Sequence, residues 1–256
     1  MTEAGGVDSL YWWHDTAAGG DVHVAFTSVR AGNLARHVGD EDVEQIEVRR
    51  RALQQRMGVE PGTLRFLDQV HSATVLDAAA HPASPGAAPT GDAWFSRAGA
   101  EPLAIMVADC LPVLMVGRTA SGGTSRAPGG EALVTAAAHA GRAGLLDGVL
   151  ENTVAALHEY GAERIQAWIG PGACGSCYEV PAAMRDELAV RRPAIASETT
   201  WGTPALDLRS EAEEVLRGRG VEVRQLAGCT IEDDTLFSHR RAPGEGRFAG
   251  LVWRAR

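Results

Sequence analysis

Leu103–Val116 reads LAIMVADCLPVLMV: two short apolar runs separated by Ala108, Asp109 and Cys110. Runs of this length and apolarity favour buried strands, although periodicity alone does not exclude a helix. The tripeptide between them places a carboxylate and a thiol at the end of one strand and the start of the next. Strand ends beside turns are where rigid scaffolds commonly present functional groups. This stretch therefore predicts a sheet protein with functional side chains at Asp109 and Cys110.

Two other segments also place one metal-ligand type of residue at the end of an apolar run. They are Gln69-Val70-His71 and Ala138-His139-Ala140-Gly141. Two imidazoles and a thiolate suit Zn²⁺, and three protein ligands leave the fourth position open, as in catalytic zinc sites. The wide spacing of His71, Cys110 and His139 matches no compact zinc motif. Buried packing of the cysteine and half-buried histidines therefore remain the alternative at this point.

The remaining patterns alternate between strands and helices. Asp21–Thr27 has the alternation of a strand, and Arg65–Val70 also resembles one. A helix is predicted from Asp40 to Met57, with Asp40 as its N-cap and Gly58 as its stop. Another is predicted from Ser210 to Arg217, with Ser210 as N-cap. Without an internal repeat or a clear linker, residues 1–256 are expected to form one mixed α/β domain of the α+β type.

Composition narrows the classes of function. The 256 residues are 45% hydrophobic, and the formal net charge of -9 argues against a nucleic-acid partner. No stretch approaches the roughly 18 to 20 consecutive apolar residues of a membrane span, so no membrane association is expected. The acidic, aromatic N-terminus lacks the features of a secretory signal. We therefore expect a cytoplasmic enzyme, with residues 1–20 as a loosely attached segment.

Further constellations are open to more than one interpretation. Cys174-Gly175-Ser176-Cys177 could serve redox chemistry or form half of a zinc site, but Cys229 is the only further thiol besides Cys110. Packing and turn geometry are therefore favoured for the Cys-x-x-Cys pair.

Arginines and aspartates supply the other candidates. Arg240 and Arg241 are adjacent and could clamp a phosphate, and Arg30 is a third candidate; solvated surface positions are the alternative. Carboxylates that could orient a ligand imidazole are Asp92, Asp109 and Asp207.

The order of these segments resembles that of the laccase-domain (YfiH-type) family, formerly called polyphenol oxidases and now regarded as purine nucleoside phosphorylases. The resemblance runs collinearly over roughly residues 22–253. The matching segments are Arg30–Leu34, His37–Asp40, Gln69–His71, Gly91–Ala93, Ala108–Leu114, His139–Gly141, Ile169–Val180, Leu206–Leu208, Cys229–Thr230, Phe237–Arg241 and Gly246–Arg247.

The resemblance implies a single α/β domain of layered sheets flanked by helices. It also implies that His71, Cys110 and His139 are both the metal and the catalytic residues. The activity it implies is zinc-dependent phosphorolysis of adenosine, inosine and methylthioadenosine. Its partners are therefore expected to be a small purine nucleoside and phosphate, with Arg30, Arg240 and Arg241 as candidates for binding the anion.

Other activities stay open at this stage. Adenosine deamination is a second activity that the resemblance implies, and copper-dependent oxidation of phenols is an older claim for the family. Without a metal, Cys110 could act as a nucleophile and His139 as its base in a cysteine hydrolase. The chain departs from the family after His139, where the usual His-Ala-Gly-Trp-Arg-Gly is replaced by His-Ala-Gly-Arg142-Ala143-Gly. This change puts the substrate preference in question but leaves the three candidate ligands intact.

Overall fold

The computed structural model describes residues 10–39, 41–83, 87–119 and 133–254. The strands are β1 (Tyr11–Ala17), β2 (Val22–Thr27), β3 (Val75–Asp77), β4 (Ala93–Ser96), β5 (Leu103–Val107), β6 (Leu111–Thr119), β7 (Leu133–Ala140), β8 (Ala162–Ile169), β9 (Ala196–Glu198), β10 (Pro204–Leu206), β11 (Glu222–Gln225) and β12 (Phe248–Arg254). The α-helices are α1 (Val43–Met57), α2 (Arg142–Leu146), α3 (Val149–Glu159), α4 (Ala182–Arg191) and α5 (Leu208–Gly218).

Two sheets lie face to face between helices, which gives four layers. The first sheet has the strand order β1-β2-β12-β5 and the second has the order β11-β8-β6-β7-β4-β3. Helix α1 packs on the outer face of the first sheet. Helices α2, α3 and α5 pack on the outer face of the second. The predicted class, a mixed α/β fold of layered sheets flanked by helices, is confirmed.

This layering explains why both apolar runs lack polar residues. In β5, Ile105 faces the second sheet whereas Met106 faces α1. In β6, Leu114 faces the first sheet whereas Met115 faces α3. Because both faces of each strand are covered, every position in the run is buried, which removes the alternation of a half-exposed strand.

The chain passes from one sheet to the other at Ala108-Asp109-Cys110. Strand β5 pairs with β12 in the first sheet, and β6 pairs with β7 and β8 in the second. Asp109 adopts the left-handed region with φ 84, which is uncommon for a residue other than glycine. The three residues therefore form a sharp crossing between the two layers, at the edge where the candidate site lies.

Several local predictions need correction. Tyr11–Ala17 pairs with β2 as an edge strand, so this part of residues 1–20 is not loosely attached; residues 1–9 lie outside the described part. Arg65–Val70 makes two isolated bridges rather than a strand, because Arg65 pairs with Leu103 and Asp68 pairs with Thr90, so that no single neighbour continues the pairing. Gly58 does end α1 in the left-handed conformation with φ 69.

Two predicted helix caps are also displaced. Asp42, not Asp40, caps α1, since its carboxylate accepts from the Glu44 N–H at 3.0 Å; Asp40 itself lies outside the described residues. Asp207 rather than Ser210 caps α5, and it accepts from the backbone N–H of Ser210 at 3.0 Å. No helix within the described ranges is long and apolar enough to cross a lipid bilayer.

Candidate metal and substrate site

The hairpin of β6 and β7 brings Cys110 and His139 together. Its register pairs Leu111 with Ala140 and Pro112 with His139. Cys110, the residue before β6, therefore lies beside the end of β7. Although they are distant in sequence, the thiol and the imidazole are neighbours because both belong to the same end of one hairpin.

Asp92 joins the third candidate to this pair. It precedes β4, and its backbone carbonyl accepts from the His139 N–H at 2.7 Å. Its fully buried carboxylate accepts from His139 Nδ1 at 2.8 Å. The same carboxylate accepts from the backbone N–H groups of His71 at 2.9 Å and Ser72 at 2.6 Å, and from the Ser72 hydroxyl at 2.7 Å. A single carboxylate thus holds both histidine segments.

His71 occupies a turn with φ 62, a conformation uncommon for histidine. The N–H groups of this turn point at the Asp92 carboxylate, which stabilises the conformation. Gly141 packs against this imidazole and against the thiol, because a Cβ on Gly141 would lie 2.6 Å from His71 Cδ2 and 3.1 Å from Cys110 Sγ. The His-Ala-Gly segment therefore leaves room for His71 to approach Cys110.

The three side chains converge. One ligand atom from each of His71, Cys110 and His139 lies within 4.8 Å of the others, and Cys110 Sγ is 3.6 Å from His71 Nε2. Since His139 Nδ1 faces Asp92, its Nε2 is the nitrogen left for a metal ion or for the thiol. Together the three side chains offer two imidazole nitrogens and a thiol, a group that could hold a metal ion.

The electrostatics of this group are strongly coupled. Burial opposes charge on His139, but hydrogen bonds with Asp92 and Cys110 outweigh burial and raise its pKa. Burial likewise raises the pKa of the Cys110 thiol, yet hydrogen bonds with His139 and His71 outweigh it, so that this pKa is lowered. Without a metal ion, the group therefore favours a thiolate beside an imidazolium.

Asp109 serves a different purpose from the one predicted. Its carboxylate accepts from the Thr230 hydroxyl at 2.6 Å and from the Arg240 backbone N–H at 2.7 Å, and these bonds do not involve either histidine. Of the three predicted carboxylates, Asp92 contacts an imidazole and Asp207 caps α5. Asp109 fixes the loop that carries Arg240 against the layer crossing.

A cavity of about 360 Å³ opens over the converging side chains. Such a volume lies within the range of small-molecule sites. Besides the metal-ligand candidates, described residues lining it include His37, Gln69, Tyr178, His239, Arg240 and Arg247. The cavity is thus lined by a thiol and imidazoles together with cationic and aromatic groups.

The predicted arginines occupy different places. Arg240 lines the cavity, and its guanidinium donates to the Glu179 carbonyl at 3.0 Å. Arg241 instead donates to backbone carbonyls, among them Asp233 at 2.9 Å and Leu236 at 2.5 Å, so its guanidinium holds a loop. Arg30 is exposed and lies outside the described cavity lining. Arg247 lines the cavity but was not predicted, although it ends the matched Gly246-Arg247 pair.

Comparisons with known proteins fit this geometry. The family described as multi-copper polyphenol oxidoreductase laccase matches residues 14–255. The chain belongs to this family.

Relatives of this laccase family carry another kind of name. A Streptomyces coelicolor protein, 40% identical over 226 residues and covering 86% of this chain and 87% of the relative, is named purine nucleoside phosphorylase. A Corynebacterium glutamicum protein of the same name is 36% identical over 241 residues, covering 93% of this chain and 92% of the relative.

Solved structures of the family share the fold. Neisseria meningitidis protein NMB0706 aligns with a TM-score of 0.78 at 32% identity, covering 97% of this chain and all of that one. YlmD from Geobacillus stearothermophilus aligns with a TM-score of 0.78 at 26% identity, covering 94% of each chain. The predicted resemblance to the YfiH-type laccase-domain family is confirmed.

The departure from the family pattern lies at the start of α2. Arg142 is the first residue of this helix, and its guanidinium contacts the sulfur of Met184 on α4. Arg142 is outside the described lining of the cavity, although its charge acts on the nearby Tyr178. The arginine of this laccase-family member therefore points at α4 rather than at the converging side chains.

Proposed function

We propose that the protein is a zinc-dependent purine nucleoside phosphorylase that cleaves adenosine, inosine and methylthioadenosine with phosphate. The observation that carries this proposal is the cavity that joins a three-donor metal group to two arginines. The relatives named purine nucleoside phosphorylase support it over most of the chain.

His71, Cys110 and His139 fit a zinc ion by their donor chemistry. Two imidazoles and a thiolate are borderline to soft ligands. Asp92 accepts from His139 Nδ1, as carboxylates commonly do from histidines that bind zinc through their other nitrogen. A bound zinc ion would act there as a Lewis acid toward the substrate.

Copper is supported less well. Blue-copper sites add a weak axial ligand such as methionine to two histidines and a cysteine. Met106 lines the cavity, but its sulfur lies 3.7 Å from Arg50 Nη2 within the core under α1. Met115 is buried on the other side of the second sheet. These positions favour zinc over a copper-dependent polyphenol oxidase.

Arg240 and Arg247 are the proposed anion-binding residues. Both line the cavity, and Arg247 also lies in the field of Cys110 and Asp109. Guanidinium groups bind phosphate oxygens through paired hydrogen bonds. Since Arg241 is engaged by carbonyls and Arg30 lies outside the cavity lining, neither is retained in the proposed anion site.

Phosphorolysis needs a phosphate anion at the sugar and a proton donor for the leaving base. A phosphate oxygen forms a bond to the anomeric carbon while the bond to the purine nitrogen breaks, and its electron pair leaves with the purine. Burial raises the pKa of Tyr178 above its usual value, so its hydroxyl stays protonated at neutral pH. Tyr178 lines the cavity and is the proposed hydrogen-bond donor to the leaving purine.

Deamination of adenosine is the weaker second activity. Zinc deaminases use a glutamate as general acid and base beside the metal. Among the described lining residues the carboxylate is Asp109, which is already bonded to Thr230 and Arg240. The cavity therefore favours phosphate attack over proton shuttling to an amine.

A metal-free cysteine hydrolase is the rival that a specific observation favours. Asp92, His139 and Cys110 form a carboxylate–imidazole–thiol chain, which is the arrangement of an activated nucleophile. However, His71 also approaches the thiol at 3.6 Å, and a nucleophile with one base does not need this second imidazole. The convergence of all three side chains favours the metal.

The decisive experiment combines metal content with turnover. Zinc would be measured by elemental analysis, and the same sample would be incubated with adenosine with and without phosphate while adenine and inosine are separated by chromatography. Bound zinc with phosphate-dependent adenine release supports the proposal. Phosphate-independent inosine indicates a deaminase, and adenosine left intact by the zinc-loaded protein refutes the proposal.

Variants separate the roles of the residues. Cys110→Ser should lose turnover together with the zinc held by His71, Cys110 and His139, whereas the hydrolase predicts that the metal-free protein stays active until its thiol is alkylated. Arg247→Met should raise the KM for phosphate by roughly ten- to a hundredfold, as expected for a lost charged hydrogen bond. Arg217→Met, on the exposed face of α5, is the matched control and should leave that KM unchanged.

The proposed partners are a small purine nucleoside and phosphate, and the proposed place of action is the cytoplasm. The four cysteines are free, and a thiolate ligand at Cys110 is retained best in a reducing compartment. The net charge of -9 supports the expectation that nucleic acid is not a partner.

A further inference from the structure

A second group of metal-ligand side chains lies away from the cavity lining. Cys174 and Cys177 belong to the turn that follows β8, and Cys229 belongs to the segment after β11. An isolated bridge joins Gly172 to Cys229, and the Thr230 N–H donates to the Gly172 carbonyl at 3.1 Å. Two chain segments that are distant in sequence therefore bring three thiols together.

The atoms of this group have the spacing of one tetrahedral ion. The sulfurs of Cys174, Cys177 and Cys229 and a carboxylate oxygen of Glu232 all lie within 4.8 Å of one another. Zinc–sulfur bonds of about 2.3 Å place tetrahedral sulfurs roughly 3.8 Å apart, so a zinc ion would fit with small side-chain movements.

Backbone amides already point at two of the sulfurs. The Cys174 N–H donates to Cys229 Sγ at 3.5 Å, and the Ser176 N–H bonds to the Cys174 sulfur. Such donors offset the negative charge of metal-bound thiolates and orient them. Gly175 fits closely in the turn, because a Cβ there would lie 2.7 Å from Asp207 Cβ. The turn is held in position before any ion binds.

Packing alone does not account for the group. Cys177 and Cys229 are buried and could fill a core as small apolar residues. That explanation gives no reason for the carboxylate of Glu232, an exposed residue, to lie beside three sulfurs. A disulfide between Cys174 and Cys177 would need an oxidant and would leave the Cys229 thiol without a role in the group.

We propose that Cys174, Cys177, Cys229 and Glu232 bind a structural zinc ion. Three thiolates and a carboxylate satisfy the four positions of a closed tetrahedral site. This site is separate from His71, Cys110 and His139, and it stands whether or not those residues bind zinc.

The proposed ion would cross-link two chain segments that lead to the cavity. The turn with Cys177 continues into Tyr178, and the segment after Cys229 begins with Thr230, whose hydroxyl donates to Asp109 at 2.6 Å. A zinc cross-link between these segments would therefore set the separation of Tyr178 from the layer crossing. Its loss should lower thermal stability and disturb substrate binding without touching the three candidate catalytic residues.

The test counts zinc in the full-length protein purified without chelators. The variants are Cys110→Ser, Cys177→Ser and the combination of both. If both sites bind zinc, the wild type holds two equivalents, each single variant one, and the combination none. The proposal is overturned if Cys177→Ser holds as much zinc as the wild type, or if Cys110→Ser holds none.

A gentler variant guards against misfolding of Cys177→Ser. Glu232→Gln changes an exposed side chain, and it should speed the loss of zinc to a chelator at least severalfold in a Cys110→Ser background. Glu245→Gln changes another exposed glutamate, in the segment before β12, and is the matched control that should leave this rate unchanged. Equal rates for both variants would remove Glu232 from the ligand set.

Cobalt gives an independent readout in the same background. Co²⁺ added to Cys110→Ser should produce the thiolate charge-transfer bands and the intense visible bands of a tetrahedral site. The spectrum of a six-coordinate ion would count against the proposal. Alkylation under denaturing conditions, followed by intact mass, would also overturn it if Cys174 and Cys177 proved to be disulfide-bonded in zinc-free protein.

Discussion

Replacing Asp92 by asparagine should weaken both the fold and the metal site. Its carboxylate accepts from the backbone N–H groups of His71 and Ser72, from the Ser72 hydroxyl and from His139 Nδ1. Asp92→Asn keeps the shape but turns one acceptor into an N–H₂ donor, which would face N–H and O–H donors. The turn at His71 would lose the contacts that hold its left-handed backbone.

The size of the effect follows from the pKa of Asp92. Burial raises this pKa, but the hydrogen bonds with His139 and Ser72 outweigh burial and lower it from 3.8 to about 2. At about 1.36 kcal/mol per pKa unit, the charged form contributes roughly 2 kcal/mol to the free energy of unfolding. Because the folded pKa is depressed, this stability is present above pH 3.8 and is lost as the pH falls toward about 2.

The assay measures stability and zinc affinity together. Chemical unfolding near neutral pH should show a loss of roughly 2 to 3 kcal/mol for Asp92→Asn, and competition with a chromophoric chelator should show zinc affinity reduced by about 10- to 100-fold. Leu53→Ala, on the buried face of α1, is the control for stability. It should cost about 2 to 5 kcal/mol while leaving zinc affinity unchanged.

Two results would refute this reasoning. If Asp92→Asn binds zinc as tightly as the wild type, the carboxylate does not orient the histidines. If Leu53→Ala loses as much zinc affinity as Asp92→Asn, the effect reflects general destabilisation. Asp42→Asn, which changes the N-cap of α1, should alter neither property, since asparagine caps helices about as well as aspartate.

Three further predictions concern other parts of the molecule. Gly141→Ala puts a Cβ 2.6 Å from the nearer imidazole and should lower zinc affinity about tenfold or more in chelator competition, whereas Gly218→Ala, with open space around it, should not. Arg241→Lys removes the fork that binds several carbonyls and should cost about 1 to 2 kcal/mol in chemical unfolding; an unchanged midpoint would contradict its loop-holding role. Burial lowers the pKa of the stacked His14 and His23, so the unfolded chain takes up protons first and the melting temperature should fall as the pH drops below 6.5; His14→Gln should reduce that slope.

The sequence predicted the central strands and the identity of the converging residues for different reasons. The apolar runs of β5 and β6 predicted strands because both faces are buried. The meeting of His71, Cys110 and His139 came from the family resemblance and not from spacing. Their proximity depends on the register of β6 with β7 and on the carboxylate of Asp92, and neither is encoded locally.

Other features were out of reach for physical reasons. Adjacent Arg240 and Arg241 cannot be told apart from the sequence pattern. In the structure Arg240 lines the cavity, whereas the Arg241 guanidinium donates to backbone carbonyls of the surrounding loop. Arg247 carries no local signal beyond its glycine neighbour. The cap of α5 was misplaced because Asp207 and Ser210 are both good capping residues, and the fold chooses between them.

The hairpin of β6 and β7 has a consequence for how this protein can be altered. Cys110 and His139 lie at one end, and the pairing runs on to Arg118 and Leu133, roughly 23 Å away at about 3.3 Å per residue. Changes in the length of the connection between those distant ends need not alter the register at the near end. A reporter domain or an affinity tag joined beyond Arg118 would therefore be attached at the end of the hairpin remote from Cys110 and His139.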